Sequence, residues 1–419
     1  MEATKVLQKK KVIAPKLRFK EFDKVGEDNS YKKYLFKDIF LFTTGKNIKQ
    51  NEASPQFETP CLRYGELYHM YNEVINKVFN RTNLDKSELL FSQGNEILLP
   101  SAGEDPLDIG SASALTIENI AIGRTINILR PMKANIYSQI YVAYYINQKL
   151  RKKISTLAKG VSISNVYNSD LKTLEITLPN LSEQQKNASF LSTVDEKIQQ
   201  LSSKKELLGQ YKKGVMQQLF SGKVRFKDEN GKAFPKWEDK RLGEYLIYKS
   251  ERNEDNKVEL VLSVSNKKGF ITQDEQFDGY TVASKDLSNY KIVYKNDIAY
   301  NPSRINVGSI ARLNNFEKGI VSPMYIVFGL KDGLDSVFFE NQYATHRFKH
   351  LIKVGCSGSV RDSLNFEDLA NFKFNFPSIQ EQKKIANYLS KIDNKIDSVN
   401  NQISKTQTFK KGLLQQMFV

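Results

Sequence analysis

Residues 179–220, PNLSEQQKNASFLSTVDEKIQQLSSKKELLGQYKKGVMQQLF, and residues 377–418, PSIQEQKKIANYLSKIDNKIDSVNNQISKTQTFKKGLLQQMF, align without a gap at an offset of 198. Identical positions include Pro179/Pro377, Glu183/Glu381, Gln184/Gln382, Leu191/Leu389, Asp195/Asp393, Lys197/Lys395, Ile198/Ile396, Lys212-Lys213-Gly214/Lys410-Lys411-Gly412 and Gln217-Gln218/Gln415-Gln416. An internal repeat of this strength organises the whole chain. It extends weakly upstream: Asp170-Leu171 matches Asp368-Leu369, the alternating run 174–178 matches 372–376, and Gly94-Asn95-Glu96-Ile97 resembles Lys295-Asn296-Asp297-Ile298. One fold used twice is the economical reading. Constant helices would then carry two long segments whose text has diverged.

Within the first copy, positions 191, 194, 198, 201, 205, 208, 212, 215 and 219 alternate steps of three and four, and seven of the nine are apolar. The second copy repeats the register with Leu389, Ile392, Ile396, Val399, Ile403, Leu413 and Met417. That spacing predicts a heptad seam in need of an apolar partner, and the other copy is the obvious one. We expect each helix to start after its proline, with Ser182-Glu183 and Ser378 as caps. From Glu183 to Phe220 such a helix is on the order of 57 Å long. An antiparallel pair would place one domain at each end. Core helices of two unrelated globules are the alternative. Lys212 and Lys410 fall at matched seam positions and read as solvated ends or as an interface with another subunit.

The expected organisation is a basic N-terminal arm (1–14), a domain over 15–178, a helical spacer (179–222), a second domain over 223–376 and a second spacer (377–419). Both domains read as mixed α/β (α+β), with strands at 61–64, 122–129 and 325–330 and late helices over 136–157 and 338–354. The segment from Lys5 to Lys20 holds seven Lys or Arg residues and no acid. It suits phosphate contact or a solvated tail.

Charge narrows the partner. The 419 residues carry a formal net charge of +16, which favours a polyanion, with nucleic acid first. No apolar run is long enough to span a bilayer and the N-terminus lacks a signal-peptide core, so the expectation is a cytoplasmic protein. Two cysteines, Cys61 and Cys356, lie far apart with no CxxC partner and read as buried thiols. His69, His346 and His350 offer neither a triad nor a zinc cluster, and no Walker A loop occurs. Asn301-Pro302-Ser303-Arg304 faintly resembles the Asn-Pro-Pro-Tyr signature of adenine methyltransferases but lacks the second proline and the aromatic that would stack a flipped base. No metal, cofactor or catalytic site is expected in this chain.

Reading duplex DNA needs side chains on base edges flanked by cations on phosphates. In the first domain the loops 45–51, 101–103 and 159–165 supply them, through Lys46, Asn47, Lys49, Gln50, Ser101, Lys159, Ser162 and Asn165. In the second, 263–268, 301–304 and 357–361 supply Ser265, Asn266, Lys267, Lys268, Ser303, Arg304, Ser359 and Arg361, and are expected to correspond in position. Polar loops of this kind are also common as plain solvated connections.

The chain resembles the specificity subunits of type I restriction-modification systems. The resemblance is carried by the Pro-x-x-x-Glu-Gln openings at Pro179 and Pro377, by Phe190-Leu191…Asp195-x-Lys197-Ile198 and Tyr388-Leu389…Asp393-x-Lys395-Ile396, by the Lys-Lys-Gly-x-x-Gln-Gln-x-Phe endings, and by Phe234-Pro235-Lys236-Trp237 with Arg241-Leu242-Gly243. It implies two target recognition domains, each reading one half of a split asymmetric DNA sequence, with an antiparallel helical rod fixing the gap; readers on one face of DNA sit about 34–36 Å apart. It further implies two methylation subunits docked on the helices, restriction subunits joined through them, and S-adenosylmethionine, ATP and magnesium used only by those partners. The first domain departs from the pattern, since Pro15-Lys16-Leu17-Arg18-Phe19 lacks the tryptophan found at 237. A non-catalytic assembly scaffold that reads no DNA is the competing view.

Overall fold

The computed structural model describes residues 14–23, 30–266, 268–276, 286–356 and 363–419. Two compact units emerge: residues 1–202 with 401–419, and residues 203–400. The divisions fall inside two long helices, Leu181–Phe220 of 40 residues and Ile379–Met417 of 39, so each unit owns part of both.

In the first unit a five-stranded sheet runs in the order Phe40–Thr44, Ile126–Pro131, Glu96–Pro100, Ser113–Leu115, Val74–Ile75. All pairings are antiparallel except the last. A four-stranded sheet holds Asn80–Thr82, Thr59–Leu62, Glu118–Ile122 and Phe91–Gln93. The second unit keeps the first four positions of the larger sheet: Leu246–Lys249, Ile326–Leu330, Ile298–Tyr300 and Ile310–Arg312, all antiparallel. Each unit is closed by the same ribbon, Lys32–Leu35 against Glu175–Leu178 and Glu238–Arg241 against Lys373–Phe376. Shared strand order with divergent text is the structural form of the repeat.

Burial follows the heptad register. Leu191, Val194, Leu201 and Leu219 are buried, as are Leu389, Ile392, Val399, Leu413 and Met417. In the first unit Leu413, Met417 and Phe418 join one core with Tyr141, Ile176 and Leu191; in the second, Leu219 joins Phe338, Phe374 and Leu389. The seam lysines are not solvated ends. Lys410 Nζ lies 2.7 Å from Asp195 and 3.1 Å from Glu73, and Lys212 Nζ lies 2.6 Å from Asp393.

The Glu-Gln pair that opens each long helix is fully buried and acts as a clamp. Glu183 accepts from Arg18 Nε at 2.8 Å, Arg18 Nη2 at 2.6 Å and the Tyr31 hydroxyl at 3.0 Å. Glu381 accepts from Arg225 Nε at 3.0 Å, Arg225 Nη2 at 2.6 Å and Trp237 Nε1 at 3.0 Å. Gln184 and Gln382 each donate to the proline carbonyl two residues before the helix, and their side-chain oxygens accept from the amides of Ser138 and Asp335. The helix cap in the first copy is Asn180, which accepts from the Glu183 amide at 2.8 Å, not Ser182; Ser378 does this in the second.

This clamp corrects the alignment of the domain starts. Pro15–Phe19 does not match Phe234–Trp237: Leu17-Arg18-Phe19 matches Val224-Arg225-Phe226, and Tyr31 stands where the second unit has Trp237. The Leu17 amide donates to the Gln416 carbonyl at 3.0 Å, while the Val224 amide donates to the Gln218 carbonyl at 3.3 Å. Residues 1–13 of the basic arm lie outside the described residues; beyond it, Phe19 packs edge-on to Phe190 of the first unit.

Other expectations shift locally. The strand expected over 122–129 is broken at Gly123–Thr125, where Gly123 donates to Leu62, Arg124 donates to Asn47 and Thr125 takes φ 68°. The late helix of the first domain runs from Gln139 to Thr156 with a π segment at Ile146–Leu150. In the second it is two helices, Ser336–Tyr343 and His346–Cys356. Cys61 and Cys356 are both buried. Among the described residues no helix is long and apolar enough to cross a membrane.

Candidate nucleic-acid interface

In the first unit the break at 123–125 is the hub of the candidate site. Gly45 donates to the Ile126 carbonyl at 3.1 Å, Lys46 to Ile122 at 3.0 Å, and Arg124 back to Asn47 at 3.0 Å. A Cβ on Gly45 would lie 2.0 Å from the Gly123 oxygen, so this approach needs glycine. Asn47 and Ile48 follow with φ 47° and 56°. Positive φ is costly for a β-branched residue, and Ile48 is held there by burial beside Cys61, Leu89 and Ala121. The Asn47 side chain donates to the Glu88 carbonyl at 2.8 Å, which fixes the loop further.

The other two loops join the same hub. Ser101 donates to the Thr125 carbonyl at 2.9 Å, and its own carbonyl accepts from Val166 at 3.0 Å. Ala102–Gly103 pairs antiparallel with Ser164–Asn165. The three loops picked out by sequence are therefore hydrogen-bonded into one rim. On it Lys46, Asn47, Lys49, Gln50, Lys159 and Ser162 are exposed, and Ser101 and Asn165 half-buried. Lys159 is tied down: its Nζ lies 2.9 Å from Asp170, and that hydrogen bond holds the Asp170 carboxyl below its usual range. Sequence reasoning missed the exposed Arg124 at the hub; a glycine inside an apparent strand was the available signal.

In the second unit Ser265, Asn266 and Lys268 lie at the tip of the hairpin Leu262–Ser265/Gly269–Thr272, with Gly269 at φ 69°. The Ser309 hydroxyl donates to the Val264 carbonyl at 3.1 Å, and the Asn301 amide to the Ser309 carbonyl at 3.1 Å. The hairpin and the 301–309 loop are thus joined. Asn301 is buried and its side-chain oxygen accepts from the Ser303 amide at 3.1 Å, so it shapes a turn, while Ser303 and Arg304 are exposed. The Pro302 carbonyl accepts from the Leu364 amide at 3.1 Å. Lys267, Ser359 and Arg361 lie outside the described residues.

Of the three positional matches expected between units, one follows the topology: residues 101–103 and 301–304 leave corresponding strands, Glu96–Pro100 and Ile298–Tyr300. The expected counterpart of 159–165, residues 357–361, lies outside the described residues. The match of 45–51 with 263–268 does not follow the topology. The counterpart of 45–51 leaves Leu246–Lys249, and there the exposed Arg252 donates to Asn289 at 2.7 Å. The hairpin instead follows the strand equivalent to Thr59–Leu62. Among the described residues, no group of three or more His, Cys, Asp or Glu is placed to hold a metal ion.

The model of the type I restriction modification DNA specificity domain matches residues 29–208 and again 224–406. The chain is 28% identical over 312 residues to a Methanocaldococcus jannaschii protein named for the specificity subunit of type I restriction enzyme MjaX, covering 70% of each. It is 22% identical over 388 residues to the EcoKI specificity subunit of Escherichia coli, covering 86% of this chain and 81% of that one. The crystal structure of a type I restriction-modification S subunit from M. genitalium shares the fold, with TM-score 0.61 and 19% identity over 97% of this chain and 99% of that one.

Proposed function

The chain belongs to the type I restriction modification DNA specificity family, and on that premise we propose that it is the non-catalytic subunit that chooses the DNA sequence for its complex, each unit reading one half of a split target. The observation that carries this reading is the shared rim. In each unit, loops scattered through the sequence are hydrogen-bonded together on one framework, yet they present different side chains: Lys46, Asn47, Lys49 and Arg124 in the first, Asn266, Lys268, Ser303 and Arg304 in the second. Cations beside amides and hydroxyls are what phosphate positioning and base-edge reading require.

The long helices pair antiparallel as a coiled coil in this proposal. Support comes from partners whose numbers fall as the first helix rises: Lys205 with Asn400 at 2.6 Å, then Lys212 with Asp393 at 2.6 Å. A coiled coil of this kind would fix the unread gap in the DNA target. Exposed aromatics at matched positions, Tyr211 and Phe409, suit two copies of one partner, the methylation subunits, through which restriction subunits join. S-adenosylmethionine, ATP and magnesium would be used by those partners in the cytoplasm.

The test is to map methylated positions in the host genome with and without this gene, and to measure binding of the purified complex to duplex DNA across salt concentrations. The proposal expects one bipartite motif to disappear with the gene, and affinity for random DNA to fall steeply with salt. An unchanged methylation pattern would leave the chain an assembly scaffold.

A further inference from the structure

In the first unit residues 159–165 form a loop stapled twice at its base. The Lys159 amide donates to the Asn165 carbonyl at 2.9 Å, and the Asn165 amide donates back at 2.8 Å. Gly160 takes φ 133°, and a Cβ there would lie 2.1 Å from the Ile163 oxygen, so the chain reverses where no side chain fits. Pairing of Ser164 and Asn165 with Gly103 and Ala102 fixes the loop to the rest of the rim.

This rigid loop holds apolar side chains out to solvent. Val161 is fully exposed and Ile163 is 58% exposed, with exposed Ser162 between them. Neither joins a hydrophobic cluster of its unit. A single exposed aliphatic residue is ordinary. Here two β-branched ones, stiff at χ1, crown a stapled loop that is hydrogen-bonded through Ser101 to the turn carrying Arg124. Such a tip has little conformational freedom to lose on binding.

We propose that Val161 and Ile163 are a reading tip for the C5 methyl group of thymine in the half-site engaged by the first unit. The proposal rests on the DNA-reading function above and names one chemistry within it. Among the four bases only thymine presents a methyl group in the major groove, and apolar side chains recognise it without a hydrogen bond. Phosphates and base-edge amides gain nothing from Val or Ile, whereas a methyl group between them leaves water.

The experiment uses the full chain with its methylation subunits. The first unit's half-site is assigned by exchanging residues 223–376, and each thymine of that half is then replaced in turn by deoxyuridine, which removes one methyl. Affinity is expected to fall about fourfold at one position, the effect of a single buried methyl. A complex carrying Val161→Ala and Ile163→Ala is expected to bind the thymine and deoxyuridine duplexes equally. Both side chains are exposed, so folding is unaffected, and unchanged salt-dependent binding to random DNA verifies it. Wild-type binding indifferent to every substitution, a first half-site without an A·T pair, or a double variant that still discriminates would each overturn the tip while leaving DNA reading intact. A wild-type complex with no sequence preference would instead overturn the function beneath it.

Discussion

Arg18 grips Glu183 through two nitrogens, at 2.8 and 2.6 Å, and the carboxylate it holds has no exposed surface. Arg225 and Glu381 repeat the arrangement in the second unit. Removing one partner of a buried pair strands the other charge, so Arg18→Ala is expected to lower the stability of the first unit by about 3–5 kcal/mol. Arg18→Lys is expected to restore little, because a point charge cannot meet two carboxylate oxygens in plane. Calorimetry checks both as a lowered unfolding transition.

Lys410 gives a second stability prediction. Burial pushes its ammonium down, and Glu73 and Asp195 outweigh that and leave it above its usual value. Because the folded value is raised, its contribution is complete below the unfolded lysine value and is lost as pH rises through the folded one. Lys410→Met is expected to cost about 2–3 kcal/mol at neutral pH, between the exposed and buried limits for ion pairs. Urea unfolding at pH 7 measures it.

Much of this was legible in the repeat. The heptad register picked out the positions that are buried, because a seam constrains residue type every three or four places. The sequence offers solvated ends or a subunit interface for Lys212 and Lys410 but not their actual partners, Asp393, Asp195 and Glu73, because these are distant in sequence. Tyr31 could not be matched to Trp237, since phenol and indole share little beyond a hydrogen-bond donor aimed at a glutamate. The hairpin at 263–268 was matched to 45–51 on composition alone, and loop composition does not encode which strand precedes it. Arg124 hid inside an apparent strand whose glycine marks the break.

Cys61 is expected to resist alkylation. Burial foremost, with the nearby Glu66 charge, pushes its thiol up to about 12. Alkylation needs the thiolate, so at pH 7–8 iodoacetamide should label Cys61 only after unfolding, as read by peptide mass spectrometry. The same shift makes this thiol's contribution to stability fall as pH rises above the unfolded value of about 8.5.

Arg124→Ala and Lys46→Ala are expected to weaken DNA binding about equally for all sequences, each lowering the log–log salt slope by about one. Asn47→Ala is expected to act differently. Its side chain anchors the loop to Glu88, so its loss should blur discrimination at positions read by the first unit. Competition binding against single-base variants separates the two effects.

The central claim is tested most directly by replacing residues 223–376 with the same region of a relative that directs a different motif, and mapping every methylated position in the host. The account predicts that one half of the bipartite motif changes while the other half and the gap stay fixed. A motif altered in both halves, or in neither, would contradict it.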